Sequence, residues 1–164
     1  MDTAFIFAAK YLYLLAALAF VAVFFALPRE RRGEMIRLAV VALPLIYILA
    51  RIGAAIWYDP RPFVVTGIAP LIPHAADNGF PSDHMLLVSA LAMVAWYFDR
   101  KSSWTIWAIA AVVGFSRVYV GVHHVADILG SVVFAIVGAC IARWAVGRFW
   151  KKRLPVPAQS EPLG

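Results

Sequence analysis

Two apolar runs near the start of the chain fix the solvent it is built for. Ala4 to Leu27 is broken only by Lys10, and Met35 to Tyr58 carries Pro44, a kink site, and Arg51. About 20 consecutive apolar residues cross the hydrocarbon core of a bilayer, so both runs are predicted spanning helices. Pro28 to Glu34, where proline, glycine and charge coincide, separates them. Three more helices are predicted at Asp83 to Phe98, from Trp104 to about Gly114 or a little beyond, with Ser116 and Arg117 at its end, and from Val122 or His123 to about Arg148. Between Phe63 and Ser82 the chain is too interrupted to span, with Gly67, Pro70, Pro73, Gly79 and Pro81. The expected fold is all-α, a polytopic transmembrane bundle of about five spanning helices. Gly130, Ala135, Gly138 and Ala139 are expected to let the last helix approach its neighbours closely.

A mean hydropathy of +0.81 with 15% charged residues agrees with a membrane protein. The formal charge of +6 does not point to nucleic acid, because the basic residues fall in short clusters between apolar runs. Arg29, Arg31, Arg32 and Arg37, then Arg100 and Lys101, then Arg148 and Lys151 to Arg153 all fall on one side of a five-helix bundle. By the positive-inside rule that side is cytoplasmic, which puts the N-terminus outside, the C-terminus inside and the two other connections at the outer face. No cleavable signal is expected, since the first run lacks a basic n-region. Residues 1–150 read as one domain and 151–164 as a flexible cytoplasmic tail. The single cysteine, Cys140, lies in an apolar run and is expected to pack as a small buried hydrophobe.

The two outer connections hold the reactive side chains. Ser116-Arg117 is followed by His123 and Asp127, which one helical turn would place on the same face. Asp127 can then accept the imidazole Nδ1 proton and leave Nε2 as nucleophile or base, while Arg117 suits an oxyanion. A structural His–Asp pair is the other reading of these residues. Pro81-Ser82-Asp83-His84 runs into a helix start, where free amides and the positive dipole end suit an anion, or where Ser82 or Asp83 simply caps. Asp59-Pro60-Arg61-Pro62 fixes an arginine between two prolines, for an active site or for lipid headgroups.

Together the three segments resemble the type 2 phosphatidic acid phosphatase superfamily. That family carries a Lys seven residues ahead of an Arg-Pro pair, then Pro-Ser-Gly-His, then Ser-Arg with a His and an Asp spaced as His123 and Asp127 are here. Two positions depart from the pattern: Ala54 stands where the family has Lys, and Asp83 where it has Gly. Arg51, one turn before Ala54, is the expected substitute for the lysine. Pro-Ser-Asp-His with Arg-Pro-Phe and the run Val118 to His123 is similar to the bacterial undecaprenyl-diphosphatase branch.

The resemblance implies a multi-pass enzyme of the bacterial cytoplasmic membrane whose active site faces outward. It would remove the terminal phosphate of undecaprenyl diphosphate and so recycle the lipid carrier of cell-wall synthesis. His123 is the implied nucleophile, oriented by Asp127, and His84 the implied acid and base. Arg61, Arg117, Ser82, Arg51 and Asp83 are the implied substrate-binding residues. No cofactor and no metal are expected, because arginines supply positive charge and the sequence offers no evident carboxylate cluster. The expected partners are the lipid substrate and membrane lipids. A phosphatase for phosphatidylglycerophosphate, phosphatidic acid or lipid A remains open, as does a non-catalytic transporter or lipid-binding protein. A soluble haloperoxidase of the same superfamily is set aside because of the apolar runs. His74 is expected to be a solvated surface residue, and His124 to lie on the pocket rim.

Overall fold

The computed structural model describes residues 1–150, and of Trp150 the backbone alone. The expected tail, 151–164, lies outside the described residues. Five long helices and one short one account for most of the described chain: α1 (Asp2–Ala26), α2 (Arg29–Ile56), α3 (Pro62–Thr66), α4 (Asp83–Trp96), α5 (Arg100–Tyr119) and α6 (Val125–Trp150). The protein is therefore an all-helical membrane bundle. α1, α2 and α6 are long and apolar enough to cross a bilayer unaided.

Several helix ends differ from the sequence expectation, each for a local reason. α2 starts at Arg29 and takes in the charged segment, so that only Leu27 and Pro28 separate it from α1. The Arg32 guanidinium closes that turn by donating to the Leu27 and Phe25 carbonyls, which α1 leaves without helical partners. α5 starts at Arg100 rather than Trp104 because Asp99 caps it, accepting from the Lys101 amide at 3.0 Å and the Ser102 hydroxyl at 2.6 Å. The five-residue α3, led by Pro62 at its first position, was not foreseen inside the broken loop.

α4 is the hub and packs against α1, α2, α5 and α6. Its 14 residues reach only about 21 Å, less than a hydrocarbon core, and most of them are buried. α1 lies beside α5 on one flank of this hub, and α2 beside α6 on the other. Close approach of α2 and α6 depends on small residues. Ala135, Ala139 and Ala142 are fully buried, and a side chain at Gly138 would meet Ile46. The exterior is apolar, with Leu14, Leu18, Val40, Ile48, Val133 and Ile141 among the side chains facing out. Cys140 is on that exterior rather than buried, and receives the Tyr97 hydroxyl at 3.6 Å.

Candidate active site

The C-terminal ends of α2 and α5 and the N-terminal ends of α1, α4 and α6 meet at one end of the bundle. A polar cavity of about 400 Å³ opens there, lined in part by Arg51, Arg61, His74, Asp83, His84, Arg117 and His123. Its walls contain Arg61, Arg117 and His123, all buried, with the wholly buried Asp127 behind them. Such a concentration of buried ionisable groups beside an apolar bundle is costly unless the groups partner one another.

The turn between α5 and α6 makes the central device. α5 carries Arg117 in its last turn, and the chain reverses through Gly121, whose φ of 78° favours glycine. α6 begins at Val125, two or three residues beyond the expected start, so His123 lies just outside the helix. Asp127, in the first turn, reaches back and accepts from the His124 backbone N–H at 2.9 Å and from His123 Nδ1 at 3.1 Å. A carboxylate in the first turn bonding the N-cap amide is half of a capping box, so the interaction that starts α6 also orients His123.

The other ring nitrogen identifies the tautomer. His123 Nε2 is 3.4 Å from an Arg61 nitrogen and 3.2 Å from an Arg117 nitrogen. Guanidinium groups only donate, so Nε2 accepts, the proton is on Nδ1, and Asp127 receives it. Burial holds the His123 pKa below its usual 6.5, with help from the Arg117 and Arg61 charges and against the Asp127 hydrogen bond. The neutral ring points its lone pair to the place where two arginines converge.

Arg61 is fixed from both sides. Its Nε donates to Asp77 at 2.7 Å and its terminal nitrogen to the Val122 carbonyl at 2.8 Å. The same bond to Arg61 lowers the Asp77 pKa. His84 lies on the cavity wall with its ring edge-on to Tyr13 of α1, centroids 4.8 Å apart. Arg51, exposed, lines the cavity one turn from Ala54, and Asp83 lines it too. Ser82 is wholly buried and is not among the lining residues. It occupies the N-cap position of α4 yet makes no side-chain cap, and its Oγ has no protein partner. Its amide donates to the Asp127 carbonyl at 3.3 Å, and its own carbonyl accepts from Ser131.

Two histidines are not where the sequence suggested. His74 is half-buried in the cavity wall, not on a solvated surface, with Nε2 3.3 Å from Arg117. His124 turns away from the cavity, and its Nδ1 lies 3.2 Å from Asp59 Oδ2. Asn78 was also missed: its side chain accepts from the Asp59 and Phe80 amides and donates to the Ala54 and Trp57 carbonyls. Nothing in the local sequence distinguishes such a loop asparagine, since three of its four partners are 19 to 24 residues away. The fold further brings Asp59, His124 and Asp127 within 4.8 Å of one another, a set able to hold a metal ion. The expectation that no such cluster exists is thereby corrected, because Asp59 is brought from the far connection.

The PAP2 superfamily pattern matches residues 38–151, which include Arg61, Ser82 to His84 and Arg117 to Asp127. The chain belongs to the PAP2 superfamily. Among relatives, the undecaprenyl-diphosphatase BcrC of Bacillus subtilis is 43% identical over 50% of this chain and 42% of its own length. The bacitracin transport permease protein BcrC of Bacillus licheniformis is 30% identical over 84% and 68% of the two chains. The putative undecaprenyl-diphosphatase YbjG of Escherichia coli is 32% identical over 69% and 57%. This superfamily member thus spans about half the length of two of these relatives. Its fold matches the crystal structure of Aquifex aeolicus LpxE with a TM-score of 0.70 at 22% identity, over 87% of this chain and 85% of that one. A phosphatidylglycerolphosphate phosphatase from Bacillus subtilis matches with a TM-score of 0.63 at 22% identity, over 94% and 78%.

Proposed function

We propose that this PAP2 member is a membrane lipid phosphatase that hydrolyses undecaprenyl diphosphate to undecaprenyl phosphate and inorganic phosphate. The carrying observation is the imidazole of His123, held by Asp127 at 3.1 Å and presenting Nε2 to Arg61 and Arg117. A terminal phosphoryl group between those arginines would lie in reach of Nε2. Nε2 bonds to phosphorus as the bond to the bridging oxygen breaks, giving a phosphohistidine and undecaprenyl phosphate. Water then attacks phosphorus and releases inorganic phosphate and neutral His123. Asp127 stabilises the charge that develops on the ring. His84 is the group placed to protonate the leaving oxygen and afterwards to take a proton from water.

Arg61, Arg117 and the first-turn amides of α4 hold the equatorial oxygens, where fixed donors matter most. The unpartnered hydroxyl of Ser82 is a buried donor suited to the same oxygens. Arg51 and Asp83, at the exposed edge of the cavity, contact the remainder of the headgroup, and Arg51 stands in for the lysine absent at position 54. The arginines serve in place of a metal. The undecaprenyl assignment rests on Pro81-Ser82-Asp83-His84 and on the names of the BcrC and YbjG relatives. The site would face the outer side of the bacterial cytoplasmic membrane, with the N-terminus outside, following the distribution of basic residues.

A glycerophospholipid or lipid A monophosphatase is the second reading, favoured by a lipid A 4′-phosphatase of Porphyromonas gingivalis 41% identical over 37% of this chain and 27% of its own. Competition between undecaprenyl diphosphate and these monophosphates, with purified protein in detergent, ranks the two. Preferred release from a monophosphate would overturn the diphosphate assignment. An acid-labile phosphoenzyme that vanishes in His123→Ala supports the covalent route.

A further inference from the structure

We propose that His74 is a positioning residue of this site: as a hydrogen-bond acceptor, it holds the Arg117 guanidinium against the nucleophile His123. The inference rests on the phosphatase reading above and extends it to a residue outside the three motifs.

Arg117 has few anchors. One terminal nitrogen is 3.4 Å from the Ala9 carbonyl, the other is 3.3 Å from His74 Nε2 and 3.2 Å from His123 Nε2, and Nε has no partner. During reaction the His123 lone pair goes to phosphorus and can no longer accept from Arg117. Ala9 and His74 then remain as its protein acceptors, beside the phosphoryl oxygens. His74 is therefore the acceptor that persists through the chemical step on the very nitrogen that faces the nucleophile.

The loop carrying His74 is fastened on both sides of it. On one side the Leu71 amide donates to the Val120 carbonyl at 3.0 Å, and Ile72 is buried against Ala9, Val120 and Val122. On the other side Asp77 bonds Arg61 and Asn78 ties the chain to the end of α2. The His74 and His123 rings meet edge to face at 6.2 Å. A bond to Arg117 requires neutral His74 with its proton on Nδ1. The charged and titratable groups facing it are Arg61, Arg117, His84 and His123, with Asp77 on its own loop. Burial first, then the Arg61 and Arg117 charges, depress its pKa below 6.5, so the acceptor form prevails at neutral pH.

The test compares wild type with His74→Ala and His74→Gln, purified in detergent, using undecaprenyl diphosphate. Glutamine places an oxygen near the position of Nε2 and keeps the acceptor without the titration. His74→Ala is expected to lower kcat by about tenfold to a hundredfold, the scale of a misplaced catalytic group, with thermal melting unchanged. His74→Gln should recover most of that loss. Below pH 6.5, log kcat/KM of wild type should fall with the slope of two required neutral imidazoles, and that of His74→Gln with the slope of one. Activity in His74→Ala within twofold of wild type, or a glutamine variant no better than alanine, overturns the inference and leaves the phosphatase reading standing. A wild type that releases no phosphate from any lipid phosphate overturns both.

Discussion

Two histidine–aspartate pairs lie next to each other in this protein and differ in almost everything except distance. His123 and Asp127 are 3.1 Å apart, and His124 and Asp59 3.2 Å apart. The first pair is buried, at 3% and 0% side-chain exposure, whereas the second is at 36% and 19%. The first presents its free nitrogen to two arginines on the cavity wall, and the second turns away from that wall. A short His–Asp contact therefore does not by itself identify a nucleophile. What distinguishes His123 is the combination of a buried orienting carboxylate with converging cations on the opposite side of the ring.

The sharpest way to break this comparison is alanine at each histidine. His123→Ala is expected to lose at least about ten-thousandfold in kcat, the scale seen when a covalent nucleophile is removed. Phosphate release retaining a tenth of the wild-type rate would remove His123 from the mechanism. Asp127→Asn comes next, with a loss of about a hundredfold to ten-thousandfold. The asparagine side chain can still accept from the His124 amide, but its NH2 group competes to place the ring proton on the wrong nitrogen. Retained activity in Asp127→Asn, with the fold intact by circular dichroism, would mean that the buried pair is no more functional than the half-buried one.

These contrasts were only partly readable from the chain. The long apolar runs gave the bundle because the bilayer imposes a length on every spanning segment, and the fixed spacing from Arg117 to Asp127 gave the His123 device because one turn of chain contains it. His74 and Asn78 were hidden for the opposite reason, since their partners come from other segments and a loop has no periodicity to betray which side faces inward. Ser82 was legible as an N-cap position but not in its use: the backbone reaches the cap geometry while the hydroxyl caps nothing. Asp59 reads as the head of a proline-bounded turn, and only the fold brings it to His124.

His84 sharpens the comparison from the substrate side. The bond broken in a diphosphate expels a phosphate, which leaves readily, whereas a monophosphate must expel an alkoxide that needs a proton. His84→Ala should thus reduce monophosphate hydrolysis by about a hundredfold or more, the usual range of general acid catalysis, and diphosphate hydrolysis by less. Equal losses on the two substrates would count against His84 as the acid. The pH profile adds a test of His123, one of the two imidazoles expected to act in the neutral form. Its pKa is depressed and, under the proposed route, only its neutral form attacks, so activity is expected above that pKa and should be lost as the pH falls through it, below 6.5. Asp127 opposes the depression, and Asp127→Asn should therefore move this limb to lower pH. A limb that stays in place would show that it belongs to another group, His74 being the neighbour whose pKa is also depressed.

The smallest effect is expected at the half-buried pair of His124 and Asp59. His124→Ala leaves Asp127 bonded to His123 and to the backbone amide of residue 124, which survives the substitution, so kcat should change by no more than about threefold. EDTA should be equally without effect if, as proposed, Arg61 and Arg117 supply the charge that a cation would bring to the phosphoryl oxygens. The two measurements are coupled through Asp59, His124 and Asp127, which together could bind an ion. If EDTA abolished phosphate release and His124→Ala did the same, with activity restored to wild type by added divalent cation, the half-buried pair would be a metal site. Asp127 would then serve two masters, and its carboxylate could not be assigned to His123 alone.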